Sequence, residues 1–140
     1  MNTAPSDPSQ RQSILIIDDE VVLAKLYITV LQEEGYDAFL ATSIEEALEV
    51  LKANSPSVIL LDCKMPLVSG EEIAAALKLH HPEICAKALL VGFSSFEPDM
   101  KVVESFKASV DRFVRKPDDI EMFVKTIKEL IALAPSKSQA

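Results

Sequence analysis

The 140 residues carry a formal net charge of −8 and 49% of them are hydrophobic, which suits one domain with a buried core. No apolar run approaches the roughly 18 residues of a membrane span, no secretory signal is present, and no Lys/Arg cluster offers nucleic acid an electrostatic footprint. Cys63 and Cys85 lack metal-site spacing and are too few for a disulfide framework, which fits a reducing, cytoplasmic compartment.

Residues 1–12, rich in Ser, Pro and Gln, read as a disordered lead-in to a domain over 13–134, with 135–140 a polar tail. Ile14-Leu15-Ile16-Ile17 is a short buried strand that ends at Asp18-Asp19. Over 20–34, Leu23, Leu26, Tyr27, Val30 and Leu31 recur at helical spacing, and Gly35 supplies a left-handed stop. A second strand follows over 37–41, and Ser43 with Glu46 forms a capping box for a helix through Lys52. The run Val58-Ile59-Leu60-Leu61 suits a strand covered on both faces, and it stops abruptly at Asp62.

After Pro66, Ser69-Gly70 precedes a third helix with Ile73, Ala74 and Leu77 inward, broken at His80-His81-Pro82. A fourth strand over 88–93 ends at Ser94-Ser95, and Pro98 opens a fourth helix carrying Val102, Val103 and Phe106. The fifth strand, over 110–114, runs into Arg115-Lys116-Pro117. Asp118 or Asp119 caps a last helix over 120–133, where Phe123, Val124, Ile127, Leu130 and Ile131 repeat on one face. Five alternating strand–helix units predict an α/β fold, a doubly wound five-stranded parallel sheet in the order 2-1-3-4-5.

Ligands of such sheets bind beyond the carboxyl ends of the strands, which here carry Asp18-Asp19, Asp62, Ser94 and Lys116. Carboxylates about 4 Å apart repel by about 4 kcal/mol at an effective dielectric of about 20. A hard divalent cation relieves that repulsion, so a Mg²⁺ site is expected. Lys116 can contact an anion, Ser94 can donate a hydrogen bond, and Asp62 can attack phosphorus to form an aspartyl phosphate. Singly, each residue has a plainer reading: Asp18-Asp19 a helix cap, Asp62 a turn residue, Phe113 core. Order and spacing give them weight together.

Asp18-Asp19, Asp62 with Met65-Pro66 and Gly70, Ser94, and Phe113 through Lys116-Pro117 resemble the receiver domain of two-component response regulators, over about residues 13–133. The resemblance implies a flavodoxin-like fold in which Asp62 accepts a phosphoryl group from a histidine kinase or phosphotransfer protein. It implies Mg²⁺ held by Asp19, Asp62 and the backbone carbonyl of Lys64, with Asp18 acting through a water. Lys116 and Ser94 would contact the phosphate, Ser94 and Phe113 would form the switch, and the Lys116–Pro117 bond would be cis.

The implied activity is phosphorelay signalling rather than catalysis on an outside substrate. Its output would be a downstream protein, or a second copy, bound through the face of the fourth helix, fifth strand and fifth helix, where Val102, Phe113 and Met122 stand. Ser94 replaces the more usual threonine. Lys64 stands where the family often has a neutral side chain, and with Phe96 it is a candidate modulating position, its ammonium expected to shield the phosphoryl group. A small Mg²⁺-dependent phosphatase would need Asp-x-Asp, but Lys64 fills the second place. A flavin carrier would need a phosphate loop where Asp18-Asp19 stands.

Overall fold

The computed structural model describes residues 12–62, 64–65, 68–95, 100–101 and 104–138, with only the backbone of Lys64 and of 135–138. The lead-in over 1–11, Cys63, Pro66, Phe96, Pro98, Val102 and Val103 lie outside the described residues.

The chain runs β1 (Ser13–Ile17), α1 (Val21–Glu33), β2 (Asp37–Ala41), α2 (Ile44–Ala53), β3 (Val58–Leu61), β4 (Lys64–Met65), β5 (Val68–Ser69), α3 (Gly70–His80), α4 (Pro82–Lys87), β6 (Leu89–Ser94), α5 (Glu104–Ser109), β7 (Arg112–Arg115) and α6 (Ile120–Ser138). The long strands form one sheet in the order β2-β1-β3-β6-β7, all pairs parallel. With the two-residue antiparallel ladder of β4 and β5 set aside, this is the expected order 2-1-3-4-5.

Alternation along the strands divides the core in two. Leu15, Ile17, Ile59, Leu61 and Leu90 face one layer with Ala47, Leu51, Ile73, Leu77 and Phe106 from α2, α3 and α5. Ile14, Ile16, Val58, Leu60, Val91 and Phe93 face the other, with Ala24, Tyr27 and Leu31 of α1 and Phe123, Ile127 and Leu130 of α6. Every residue of β3 is fully buried, as expected of a central parallel strand covered on both sides.

Helix ends follow the sequence closely. Gly35, at φ 94°, closes α1, a conformation that costs glycine little. Ser43 Oγ accepts from Glu46 N at 3.1 Å, and Glu46 reaches back to the amide of Thr42, 2.6 Å away, one residue before the position a capping box uses. The same Ser-x-x-Glu pattern opens α3, where Ser69 Oγ accepts from Glu72 N at 3.2 Å. Asp119 Oδ1 accepts from Met122 N at 2.8 Å and so caps α6.

Three expectations change. A six-residue helix, α4, follows Pro82 where the sequence reading has only a break, because proline at the first helical position presets φ and loses nothing there. The backbone of α6 continues to Ser138 through the segment read as a tail, although a proline inside a helix forgoes one backbone bond and crowds the carbonyl four residues before it. Leu26 of α1 is 47% exposed, its place in the buried stripe taken by Ala24.

Leu60 is fully buried between β1 and β6, so Leu60→Ala should lower the unfolding free energy by about 3 kcal/mol in urea denaturation.

Candidate functional site

Strand register brings the functional side chains together. Ile17 pairs with Leu61 and Leu61 with Gly92, so Asp18 and Asp62 leave neighbouring strands side by side. Backbone bonds hold them there: Asp62 N donates to Ile17 O and Asp18 N to Ala41 O, both at 3.0 Å. Ser94 pairs with Arg115, and Lys116 N donates to Ser94 O at 2.6 Å, which sends the next side chain back over the sheet edge.

The carboxylates of Asp18, Asp19 and Asp62 each offer an oxygen within 4.8 Å of the others. Asp18 is buried, Asp62 half-buried and Asp19 exposed, so the group opens to solvent on the Asp19 side. Lys116 Nζ lies 2.9 Å from Asp18 Oδ2 and 3.9 Å from Asp62 Oδ1. The other oxygen of Asp18 accepts from Glu20 N at 2.9 Å. That bond closes a local turn before α1, whose N-cap Glu20 receives no side-chain cap, so Asp18 is not the helix cap of the plainer reading and its second oxygen pairs with the ammonium.

Burial of the Lys116 ammonium would by itself lower its pKa. The hydrogen bond to Asp18 and the charges of Asp62, Asp18 and Glu20 outweigh that and raise it above the ordinary lysine value, so Lys116 is cationic at neutral pH. Its Nζ also sits 6.0 Å from the ring centre of Phe93. That ring packs edge-on to Tyr27 and tilted against Phe123, while Tyr27 stacks on Phe123 at 4.0 Å. Burial raises the Tyr27 pKa, with Lys116 opposing.

Asp18, Asp19, Asp62, Lys116 and Tyr27 line a cleft of about 790 Å³ that also includes Glu20, Leu23, Leu26, Arg115, Asp118 and Asp119. Acids outnumber the two cations along its walls, so the cleft favours a divalent cation over a bare anion. Three carboxylates around one point are hard oxygen donors, a set that fits Mg²⁺.

Ser94 is buried at the end of β6 and lines the same cleft. Phe113 is half-buried on β7 and meets the ring of Phe106 edge-on at 5.9 Å. The expected cis bond before Pro117 is not found: among the described residues no peptide bond is cis. Trans is the default even before proline, and Lys116 reaches both carboxylates with the trans bond. The Lys64 side chain and Phe96 lie outside the described residues, as does Val102 of the expected partner face, whereas Met122 is exposed on α6.

Residues 14–128 match the response regulator receiver domain. The chain belongs to that family. It is 26% identical over 124 residues to the polar-differentiation response regulator DivK of Brucella ovis, covering 86% of this chain and 96% of the relative. It is 32% identical over 109 residues to the transcriptional regulatory protein YvrH of Bacillus subtilis, covering 77% of this chain but 44% of the relative. The response regulator TrrA of Thermotoga maritima, solved in complex with Mg²⁺ and BeF, superposes with a TM-score of 0.67 at 27% identity over 85% of this chain and 98% of that one. The chemotaxis response regulator CheY4 of Vibrio cholerae shares the fold, with a TM-score of 0.74 at 22% identity over 86% of this chain and 99% of that one. Receiver domains are signalling modules of phosphorelays, and that is the role of this chain.

Phe93, Tyr27 and Arg115 are absent from the sequence-derived site. Phe93 reads as one more apolar strand residue, and only the fold puts its ring beneath Lys116. Lys116→Met should leave the Asp18 carboxylate buried with one backbone donor, costing about 3 kcal/mol in urea denaturation in metal-free buffer.

Proposed function

We propose that Asp62 is the phosphoacceptor of this receiver domain, and that a histidine kinase or phosphotransfer protein supplies the phosphoryl group. The observation that carries the reading is the place of Asp62: it ends the central strand beside two further carboxylates, with Lys116 Nζ 3.9 Å from its Oδ1. An Asp62 oxygen attacks phosphorus, the bond from phosphorus to the donor's imidazole nitrogen breaks, and the imidazole leaves with the electron pair and takes up a proton.

Asp18, Asp19, Asp62 and the backbone carbonyl of Lys64 are the proposed Mg²⁺ ligands, Asp18 acting through a water. The bound ion would neutralise the acids and the developing charge on the phosphoryl oxygens. Lys116 contacts a phosphoryl oxygen as a point charge, and so can exchange Asp18 for the phosphate. The Ser94 hydroxyl donates to another oxygen, and Phe113 follows it inward to complete the switch. Lys64 and Phe96 modulate access to the acceptor. The module acts in the cytoplasm and on no outside substrate; among the described residues no helix is long and apolar enough to cross a membrane. Its output face is α5, β7 and α6, with Phe113 and Met122, for a downstream protein or a second copy.

Incubation with acetyl phosphate and Mg²⁺ should add one phosphoryl group by intact mass, and Asp62→Asn should abolish the gain. A gain that survives the substitution would place the acceptor elsewhere.

A further inference from the structure

Phe106, which none of these roles uses, joins the acid site to the switch pair. The chain has three glycines; one closes α1, and the other two both make room for this ring. A Cβ on Gly70 would strike Cε1 of Phe106, and would lie 2.7 Å from its Cδ1 and 3.0 Å from the backbone oxygen of Asp62. A Cβ on Gly92 would lie 2.8 Å from Cε2 of the ring, 3.0 Å from its Cζ and 3.0 Å from Cδ2 of Phe113.

The ring is 1% exposed. It is wedged between the first residue of α3, which abuts the Asp62 carbonyl, and β6 two residues before Ser94. Its remaining edge meets Phe113 at an interplanar angle of 84°. Lys78 Nζ of α3 donates to Ser109 O at 2.8 Å, which ties the end of α5 to the same helix. Contacts this close pass a displacement on because there is no void to take it up.

We propose that Phe106 is a positioning residue that couples Asp62 to α5. A shift of Gly70 with the Asp62 loop, or of Phe113 with Ser94, presses on or frees one and the same ring, and α5 carries that ring. The proposal rests on the assigned role of Asp62 and extends it beyond the Ser94–Phe113 pair.

Amide NMR of the full chain, with Mg²⁺ and beryllofluoride as the phosphoryl mimic, tests it with Phe106→Leu and Gly92→Ala. The wild type should shift at Ser94, Phe113, Lys107 and Ser109. In Phe106→Leu the Ser94 response and the beryllofluoride affinity should hold within about twofold, while the Lys107 and Ser109 responses fall by roughly half or more. Gly92→Ala keeps the ring but crowds it, so Lys107 and Ser109 should already be displaced without ligand, and this variant decides if Phe106→Leu does not fold. A full α5 response in folded Phe106→Leu, or undisturbed α5 signals in Gly92→Ala, would overturn the coupling alone. A wild type that takes up no beryllofluoride would overturn the proposed function with it.

Discussion

The half-buried ammonium of Lys116 lies between carboxylates that the parallel register forces together, and the rim of the sheet is built around it. Because Ile17 pairs with Leu61, Asp18 and Asp62 must emerge as neighbours, and like charges at that spacing oppose folding. Lys116 offsets this from the far edge of the sheet, 2.9 Å from Asp18 and 3.9 Å from Asp62. It is held there by its own amide on Ser94 and by an aromatic floor of Phe93, Tyr27 and Phe123. The exposed third acid, Asp19, has no such cation beside it among the described ion pairs, so the cluster keeps a negative, solvent-open side.

This arrangement suits a signalling module better than a fixed structural ion pair. On the proposed reading, a divalent cation takes over the neutralising role, and a phosphoryl group on Asp62 offers Lys116 an anionic partner in exchange for Asp18. The same event reaches Ser94, which lies on the adjoining strand, and the Gly70–Phe106–Gly92 contact beneath it. Local charge chemistry at three strand ends is thereby linked to a short helix anchored by Lys78 on the Ser109 carbonyl and by the buried Phe106 ring.

Most of the fold was legible because the strands announce themselves. Four consecutive buried residues ending at Asp62 leave few alternatives, and the capping serines and Gly35 mark helix ends with one residue each. The acid cluster was legible for the same reason, since strand ends in a parallel sheet share a rim. What was not legible depends on tertiary context. Leu26 fits the helical period as well as Ala24 does, and only packing against α6 decides which is buried. The short α4 after Pro82 is held by Cys85 and Ile84 against the core, a contact that periodicity over six residues cannot reveal. Arg115 enters the cleft, and Phe93 comes near Lys116, through strand positions that read as sheet, and the trans bond at Pro117 corrects an expectation carried by resemblance.

The central claim is that the three carboxylates form one strained unit which a divalent cation relieves. Urea unfolding of the wild type and of Asp19→Asn, each without metal and across a Mg²⁺ titration, tests it most directly. Wild-type stability should rise with Mg²⁺, by about 2.7 kcal/mol at a hundredfold excess over the dissociation constant. Asp19→Asn should be at least as stable as the wild type without metal and gain little from it. A wild type indifferent to Mg²⁺, or an equal gain in Asp19→Asn, would contradict the account.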